Sequence, residues 1–154
     1  MFLDLGRIFE PDWSGVPPHM SGRDYIIWRR WQEAHWPEYT GFYFDAAVGT
    51  PVQGSPGLTD IQQRGLDRAS VKRIDAIGIQ KRLVRVIEVR PNASSSAGGA
   101  VLLYTYLLQQ SNPFKVPMEG MILSDLSDPD SEAWFHSLGI RLELVGPVLE
   151  AVEI

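Results

Sequence analysis

Apolar and polar residues follow a helical period early in the chain. The stretch SGRDYIIWRRWQEAHW (21–36) places large apolar side chains at the spacing of one helix face. Ser21 is a candidate N-cap, with Asp24 three residues later as in a capping box, and Pro37 ends the pattern. These features predict a helix over residues 21–36.

Short apolar runs and alternating segments in the rest of the chain predict strands. The predicted strands are FYFDAAV (42–48), KRIDAIGI (72–79), LVRVIEV (83–89), MILSDL (121–126) and IRLELV (140–145). Two further helices are predicted at AVLLYTYLLQQ (100–110) and DPDSEAWFHSLG (128–139), and residues 60–70 are predicted to form a short turn or helix. This order predicts the α/β class, with a single mixed sheet flanked by helices.

The chain divides into a short lead-in and one domain. Residues 1–20 are rich in aromatic side chains and proline, and they predict an extended N-terminal arm. An arm with large apolar groups must lie on apolar surface, either of its own domain or of a neighbouring molecule. Residues 21–154 contain no repeat and no linker, and they predict a single α/β domain.

The composition excludes several classes of protein. With no cysteine among 154 residues, disulfides and thiolate metal sites are excluded. No apolar run approaches the roughly 20 residues of a membrane-spanning helix, and the N-terminal sequence MFLDLGRIFEPDW is too acidic for a signal peptide. We therefore expect no membrane partner, and a location in a cytosol or in a particle assembled there.

Charge is unevenly distributed along the chain. Residues 64–90 carry eight Lys or Arg against three acids, whereas residues from 118 onwards carry eight acids and one Arg. The basic segment predicts a nucleic-acid face. Its candidate nucleic-acid-binding residues are Arg73, Lys81, Arg82 and Arg85. The same polarity also fits head-to-tail packing of subunits or two solvated faces, and the net charge of −5 argues against coating nucleic acid by bulk attraction.

Two acids lie in the middle of segments that are otherwise built for burial. Residues two apart on a strand share a face, so Glu88 and Arg90 point the same way. If Lys81 and Arg82 form a two-residue turn, Asp75 lies opposite Glu88 on the neighbouring strand. Two converging carboxylates suit a hard divalent cation such as Mg²⁺. The alternative is a structural acid pair neutralised by a nearby arginine.

The order of these features resembles the PD-(D/E)XK nuclease superfamily. Asp75 is followed by Glu88-Val89-Arg90 after a hairpin-length gap, and VIEVRPNASSSAGGAVLLYTYLL is similar to the superfamily's "IEVKP…GQ…Y" stretch. MILSD…LGIRLELV is similar to its closing strand-helix-strand, and the resemblance covers roughly residues 21 to 145. PPHMSGRDYIIWRRW…FDAAVG before RIDAIG resembles short phage-encoded proteins with this fold.

The resemblance implies a restriction-endonuclease-like αβββαβ core and a set of site residues. Asp75 and Glu88 match its metal-binding acids, and Glu33 is a candidate for the additional helical acid of some members, with Glu38 and Asp45 as alternatives. Arg90 stands where the catalytic Lys is expected. Lysine can lose its proton when it is desolvated, whereas arginine stays charged and presents a wider fork, which puts turnover in doubt.

A second departure affects the substrate side of the site. The Gln expected four residues before Tyr104 is Ala100, so a polar group that would face the substrate is missing. His19, His35 and His136 lack ligand spacing and predict no histidine metal site.

Two functions follow from these expectations. The first is a phage-type structural or assembly protein with a degenerate nuclease fold, a virion component at the head–tail junction or in the tail. It would bind other phage structural proteins or itself, in the virion or the host cytoplasm. The second is a Mg²⁺-dependent DNA endonuclease, in which Asp75 and Glu88 hold the ion, Glu33 assists and Arg90 stabilises charge on the phosphate. Whether the chain is an enzyme is left open by the sequence.

Overall fold

The computed structural model describes residues 1–146, so residues 147–154 of the predicted domain lie outside the described part. Its α-helices are α1 (Gly22–His35), α2 (Asp60–Ser70), α3 (Ser95–Ser111) and α4 (Pro129–Ser137). Its strands are β1 (Phe2–Asp4), β2 (Gly41–Gly49), β3 (Lys72–Ile79), β4 (Val84–Val89), β5 (Asn92–Ala93), β6 (Met118–Ser124), β7 (Leu126–Ser127) and β8 (Arg141–Leu144). A 3₁₀ turn (Trp36–Glu38) follows α1.

The main sheet has six strands in the order β1-β2-β3-β4-β6-β8. Strands β1 to β4 pair antiparallel, and β6 and β8 continue the sheet parallel to β4. Strands β5 and β7 form a separate parallel pair. The prediction of a mixed α/β fold with one main sheet between helices is confirmed.

The connections between the strands explain why the main sheet contains both antiparallel and parallel pairs. The β3–β4 hairpin turns at Lys81 and Arg82, where the Gln80 N–H donates to the Leu83 carbonyl over 2.9 Å. Parallel strands need a crossover connection, which α3 provides between β4 and β6 and α4 provides between β6 and β8. No helix among the described residues is long and apolar enough to cross a membrane.

Two apolar layers cover the two faces of the main sheet. On one face, Trp28 and Trp31 of α1 pack against Phe42, Phe44 and other strand residues. On the other face, α3 and α4 pack against strand residues in a second buried cluster. The sheet therefore lies between α1 on one side and α3 with α4 on the other.

The N-terminal arm lies on its own domain. Strand β1 pairs with β2 at the edge of the sheet, and Phe9 exchanges backbone hydrogen bonds with Phe42. The buried amide of Gln32 on α1 donates to the carbonyl oxygens of Pro11 at 2.9 Å and Trp13 at 2.7 Å. The arm is thus an integral layer over the face covered by α1.

At Asp45, the side chains of β2 change the sheet face to which they point. Phe42 and Phe44 belong to the α1 layer, whereas Ala46 and Val48 belong to the α3 layer. Asp45 lies between them with φ of 52°, in the left-handed region that aspartate tolerates better than most residues. The left-handed residue shifts the alternation by one position, so even-numbered side chains of β2 face the α1 layer before it and the α3 layer after it.

Candidate functional site

Asp75 and Glu88 come together at one end of the sheet. The β3–β4 ladder pairs Ala76 with Ile87, so its next position places Asp75 directly opposite Glu88. This end is also where the parallel strands β4 and β6 finish and where α3 begins. The two-residue turn predicted from the sequence therefore gives the predicted pairing of the two acids.

Each carboxylate of the pair has a defined protein partner. The Val89 N–H donates to Oδ2 of Asp75 over 2.9 Å, which closes the end of the β3–β4 ladder. Nε of Arg90 donates to Oε2 of Glu88 over 2.7 Å. Nη1 of the same guanidinium donates to Oγ of Ser96, at the start of α3, over 2.9 Å. Arg90 therefore ties the acid pair to the helix.

Burial and mutual repulsion keep a proton on this pair. Glu88 is 5% exposed, and burial followed by the charge of Asp75 raises its pKa to about 8. Burial also raises the pKa of Asp75, while hydrogen bonds from Glu88 and the Val89 N–H oppose that rise. Glu88 is accordingly the protonated partner, and it donates to Asp75.

Two groups that the sequence analysis missed also lie near the pair. Burial and the charge of Asp75 raise the pKa of Asp24, which lies in the first turn of α1. Burial and the charges of Glu88 and Asp75 raise the pKa of Tyr104 on α3. Both lie on helices that pack on the sheet, so only tertiary packing brings them to the end of β3 and β4.

Asp125, immediately after β6, is a third residue that the sequence analysis missed. Oδ2 of its buried carboxylate accepts from Nε of Arg23 over 2.9 Å. Its Oδ1 has no hydrogen-bond partner among the described residues. Its position had a sequence signal, because MILSDL (121–126) places an acid next to the last residue of a predicted strand.

Asp45 is the centre of a second charged cluster beside the pair. It lies opposite Asp75, between the register pairs Phe44–Ala76 and Ala46–Ile74. Its Oδ2 lies 3.1 Å from Nε2 of His19, 3.3 Å from an Arg73 nitrogen and 3.6 Å from an Arg68 nitrogen. These three side chains come from the arm, β3 and α2, and they surround the carboxylate of the left-handed residue.

The predicted helical acid Glu33 is not part of this site. Its exposed carboxylate pairs with Arg29 one turn earlier on α1, at 3.1 Å. Glu33 lies nine residues beyond Asp24, about 14 Å along the helix axis. The alternative Glu38 pairs with His35 instead. Among the acids of α1, Asp24 is therefore the one that faces the pair.

The four predicted nucleic-acid-binding residues do not form one surface. Arg73 is engaged by Asp45, and Arg85 is largely buried, with bonds to Glu119 at 3.0 Å and to the Tyr39 hydroxyl at 2.8 Å. Lys81 and Arg82 are exposed at the hairpin turn. That turn is six residues from Asp75 along β3, about 20 Å away. In the fold, acids of other segments neutralise part of this basic segment, since Asp45 pairs with Arg73 and Glu119 pairs with Arg85.

Protein donors engage one oxygen of each acid of the pair. Asp75 accepts from the Val89 N–H and Glu88 accepts from Arg90, which leaves the second oxygen of each carboxyl group outside these two bonds. Arg90 supplies the positive charge that a cation would supply, and residues 1–146 contain no cluster of three or more acids or histidines with metal-site geometry. As arranged, the site is an acid pair balanced by arginine.

Three comparisons with known proteins found no match to this chain. No family model matches the chain, no curated protein matches it, and no solved structure matches its fold. The resemblance to the PD-(D/E)XK superfamily stays a prediction.

Proposed function

We propose that this chain is a phage-type structural or assembly protein with a nuclease-like core that binds other proteins and does not hydrolyse phosphodiesters. In this proposal it is a virion component at the head–tail junction or in the tail, present in the particle or in the host cytoplasm. Its partners are other structural proteins or further copies of itself. The virion assignment is supported by the resemblance to short phage-encoded proteins.

The lack of turnover is supported by one contact, the bond from Arg90 to Glu88. A guanidinium stays charged at any pH at which proteins fold, so it cannot exchange a proton with an attacking water. Its fork is held by Glu88 on one side and by Ser96 on the other. Glu88, the second acid of the pair, is therefore bonded to a protein side chain.

Binding to proteins is supported by the surface of α3. This helix of 17 residues contains no charged side chain, and Leu102, Leu103 and Tyr106 are exposed on it. Leu102 and Tyr106 line a groove of about 470 Å³ together with Leu138, which follows α4. Exposed apolar side chains around a groove with a partly polar lining are a feature of protein–protein contact sites.

The first experiment tests turnover. Supercoiled plasmid is incubated with the wild-type chain and with Asp75→Ala in Mg²⁺ and in Mn²⁺, at high protein concentration. We expect no metal-dependent cleavage by either protein. Cleavage by the wild type that disappears in Asp75→Ala would overturn the proposal, and Glu33→Ala is the matched control for an acid outside the site.

The second experiment tests the location. Mass spectrometry of purified particles is expected to detect the chain at a fixed copy number relative to the other structural proteins. A chain that is absent from particles, although it is made during infection, would contradict the virion assignment.

The alternative function is a Mg²⁺-dependent DNA endonuclease that acts through Asp75 and Glu88. It is favoured by the adjacency of these carboxyl groups and by Asp24 and the unpaired Oδ1 of Asp125 at the same end of the sheet. This alternative requires Arg90 to leave Glu88. It predicts that Arg90→Lys, which restores the residue type of the superfamily, cleaves plasmid at least as fast as the wild type.

A further inference from the structure

Within residues 1–146, the outer edge of strand β8 is open. This strand is the last strand of the main sheet and pairs only with β6 among the described residues. The Val145 N–H donates inward to the Ser124 carbonyl over 2.9 Å. Since backbone groups alternate in direction along a strand, Leu142 and Leu144 direct their N–H and C=O groups outward. Such an edge is a template for another strand.

The space beside this edge can accept a strand. A groove of about 540 Å³ lies between α4 and β8, where Phe135 and His136 face Leu142 and Leu144. On the opposite face, a smaller groove of about 140 Å³ lies between α1 and the end of β8. Leu144 is 49% exposed, so an added strand would bury apolar surface as well as satisfy backbone groups.

The charged side chains of β8 are complementary to those of a second copy of the strand that runs antiparallel to it. In an antiparallel pair centred on Leu142, Leu142 lies opposite its own copy and Arg141 lies opposite Glu143 of the partner subunit. The two-fold symmetry repeats this pair, so two arginine–glutamate contacts form on one face. Opposite charges directly across a ladder stabilise the pairing, whereas like charges destabilise it. Within one chain, Nε of Arg141 already donates to Oε1 of Glu143 over 2.8 Å, and in the dimer the same charges would also meet across the two-fold axis. This pattern favours a second copy of the chain over a strand that lacks it.

We propose that two copies of this chain associate antiparallel through β8, centred on Leu142, and join their six-stranded sheets into one sheet of twelve strands. The interface is isologous, as a two-fold dimer requires. It is independent of the acid pair, so it holds whether or not the chain has nuclease activity.

The first test uses the absence of cysteine from the natural chain. In the proposed dimer, the two Leu142 residues form a hydrogen-bonded pair with Cα atoms about 5.5 Å apart, within disulfide range. Under mild oxidation, Leu142→Cys is expected to give a covalent dimer on non-reducing gels. Ile61→Cys, at a site that is 82% exposed on α2, is the matched control and is expected to stay monomeric. Equal cross-linking of both variants, or of neither, would overturn the proposal.

The second test does not depend on the folding of a cysteine variant. Sedimentation equilibrium measures the dimer dissociation constant of the wild type, of Arg141→Ala and of Arg141→Glu, a substitution at an exposed position of β8. Arg141→Glu places like charges opposite each other twice and is expected to raise the constant by about tenfold or more. Arg141→Ala is expected to have a smaller effect. A wild-type chain that stays monomeric at all concentrations, or a dimer that Arg141→Glu leaves unchanged, would refute the β8 interface.

Discussion

At the scale of single residues, Glu88 is the most unusual group of the described chain. It is a buried acid whose carboxyl group donates to Asp75 and accepts from Arg90. A protonated glutamate inside a sheet is stable because burial disfavours its charge and a neighbouring carboxylate accepts a hydrogen bond from its O–H. The three groups together form a neutral unit in which one acid carries a proton and one is balanced by arginine.

Stability is therefore expected to fall as the pH rises. The pKa of Glu88 lies near 8 in the folded protein against 4.5 as its reference value, so the folded state holds a proton that the unfolded chain releases. The free energy of unfolding then decreases between about pH 4.5 and pH 8, by up to about 1.4 kcal/mol for each pH unit. Urea unfolding at pH 5 and at pH 8 measures this loss.

Glu88→Gln separates this effect from other titrations. The amide cannot ionise but can still donate to Asp75, so the variant is expected to lose less stability between the two pH values than the wild type. Because the pKa of Asp75 is also raised, the free energy of unfolding of Glu88→Gln is still expected to fall with rising pH, but less steeply than that of the wild type. Glu33→Gln, on the exposed side of α1, is the control. An identical slope in the wild type and Glu88→Gln would refute the assignment of the proton.

The central pair of the site was predictable from the sequence, but its surroundings were not. A two-residue turn fixes the register of a hairpin, and the register sets Asp75 against Glu88. Asp24 could not be chosen over Glu33, because both lie on one predicted helix and only the packing of α1 decides which acid meets the sheet. The engagement of Arg85 by Tyr39 and Glu119 likewise depends on neighbours that are distant in sequence.

At the scale of elements, the predicted helices and strands differ from the observed ones mainly at their starts. The helix predicted from residue 100 begins at Ser95, so it includes Gly98 and Gly99. Glycine weakens a helix on intrinsic propensity, so the sequence pattern favours a helix that starts after both glycines. Packing outweighs that propensity, because α4 lies directly against the helix at Gly98.

Gly98 and Gly99 are expected to respond to alanine in opposite directions. A Cβ at Gly98 would meet Phe135 at 2.5 Å and Trp134 at 2.6 Å, whereas a Cβ at Gly99 would meet nothing within 4 Å. We expect Gly98→Ala to lower the free energy of unfolding by about 1 to 3 kcal/mol through overpacking. Gly99→Ala is expected to raise it by about 0.5 to 1 kcal/mol through helix propensity.

Chemical denaturation of the two variants beside the wild type measures both changes. The pair is its own control, because the substitutions are identical in chemistry and adjacent in the helix. A destabilised Gly99→Ala together with an unaffected Gly98→Ala would show that α3 and α4 do not pack in this way.

At the scale of the whole molecule, the arm and α1 form one continuous layer on the sheet. Trp13 packs beside Phe9 and Phe44. The side-chain amide of Gln32 on α1 holds the arm through the carbonyl oxygens of Pro11 and Trp13. The sequence predicted the arm and its need for apolar cover. It could not predict the short strand β1 or the role of Gln32, since both depend on which surface the arm meets.

Removal of the Gln32 amide is expected to release the arm. Gln32→Ala leaves the carbonyl groups of Pro11 and Trp13 without their donor, at a cost of about 1 to 3 kcal/mol. We expect faster cleavage by a nonspecific protease within residues 1–20, measured by mass spectrometry. Glu33→Ala, at the next position but exposed, is the control. Equal rates of cleavage in the two variants would contradict this role.

The change of facing at Asp45 has a consequence for cooperativity. Because β2 supplies Phe44 to one layer and Ala46 to the other, neither layer can melt without disturbing the strand that the other needs. We therefore expect both layers to be lost in a single cooperative transition, with no state in which one layer is intact and the other is unfolded.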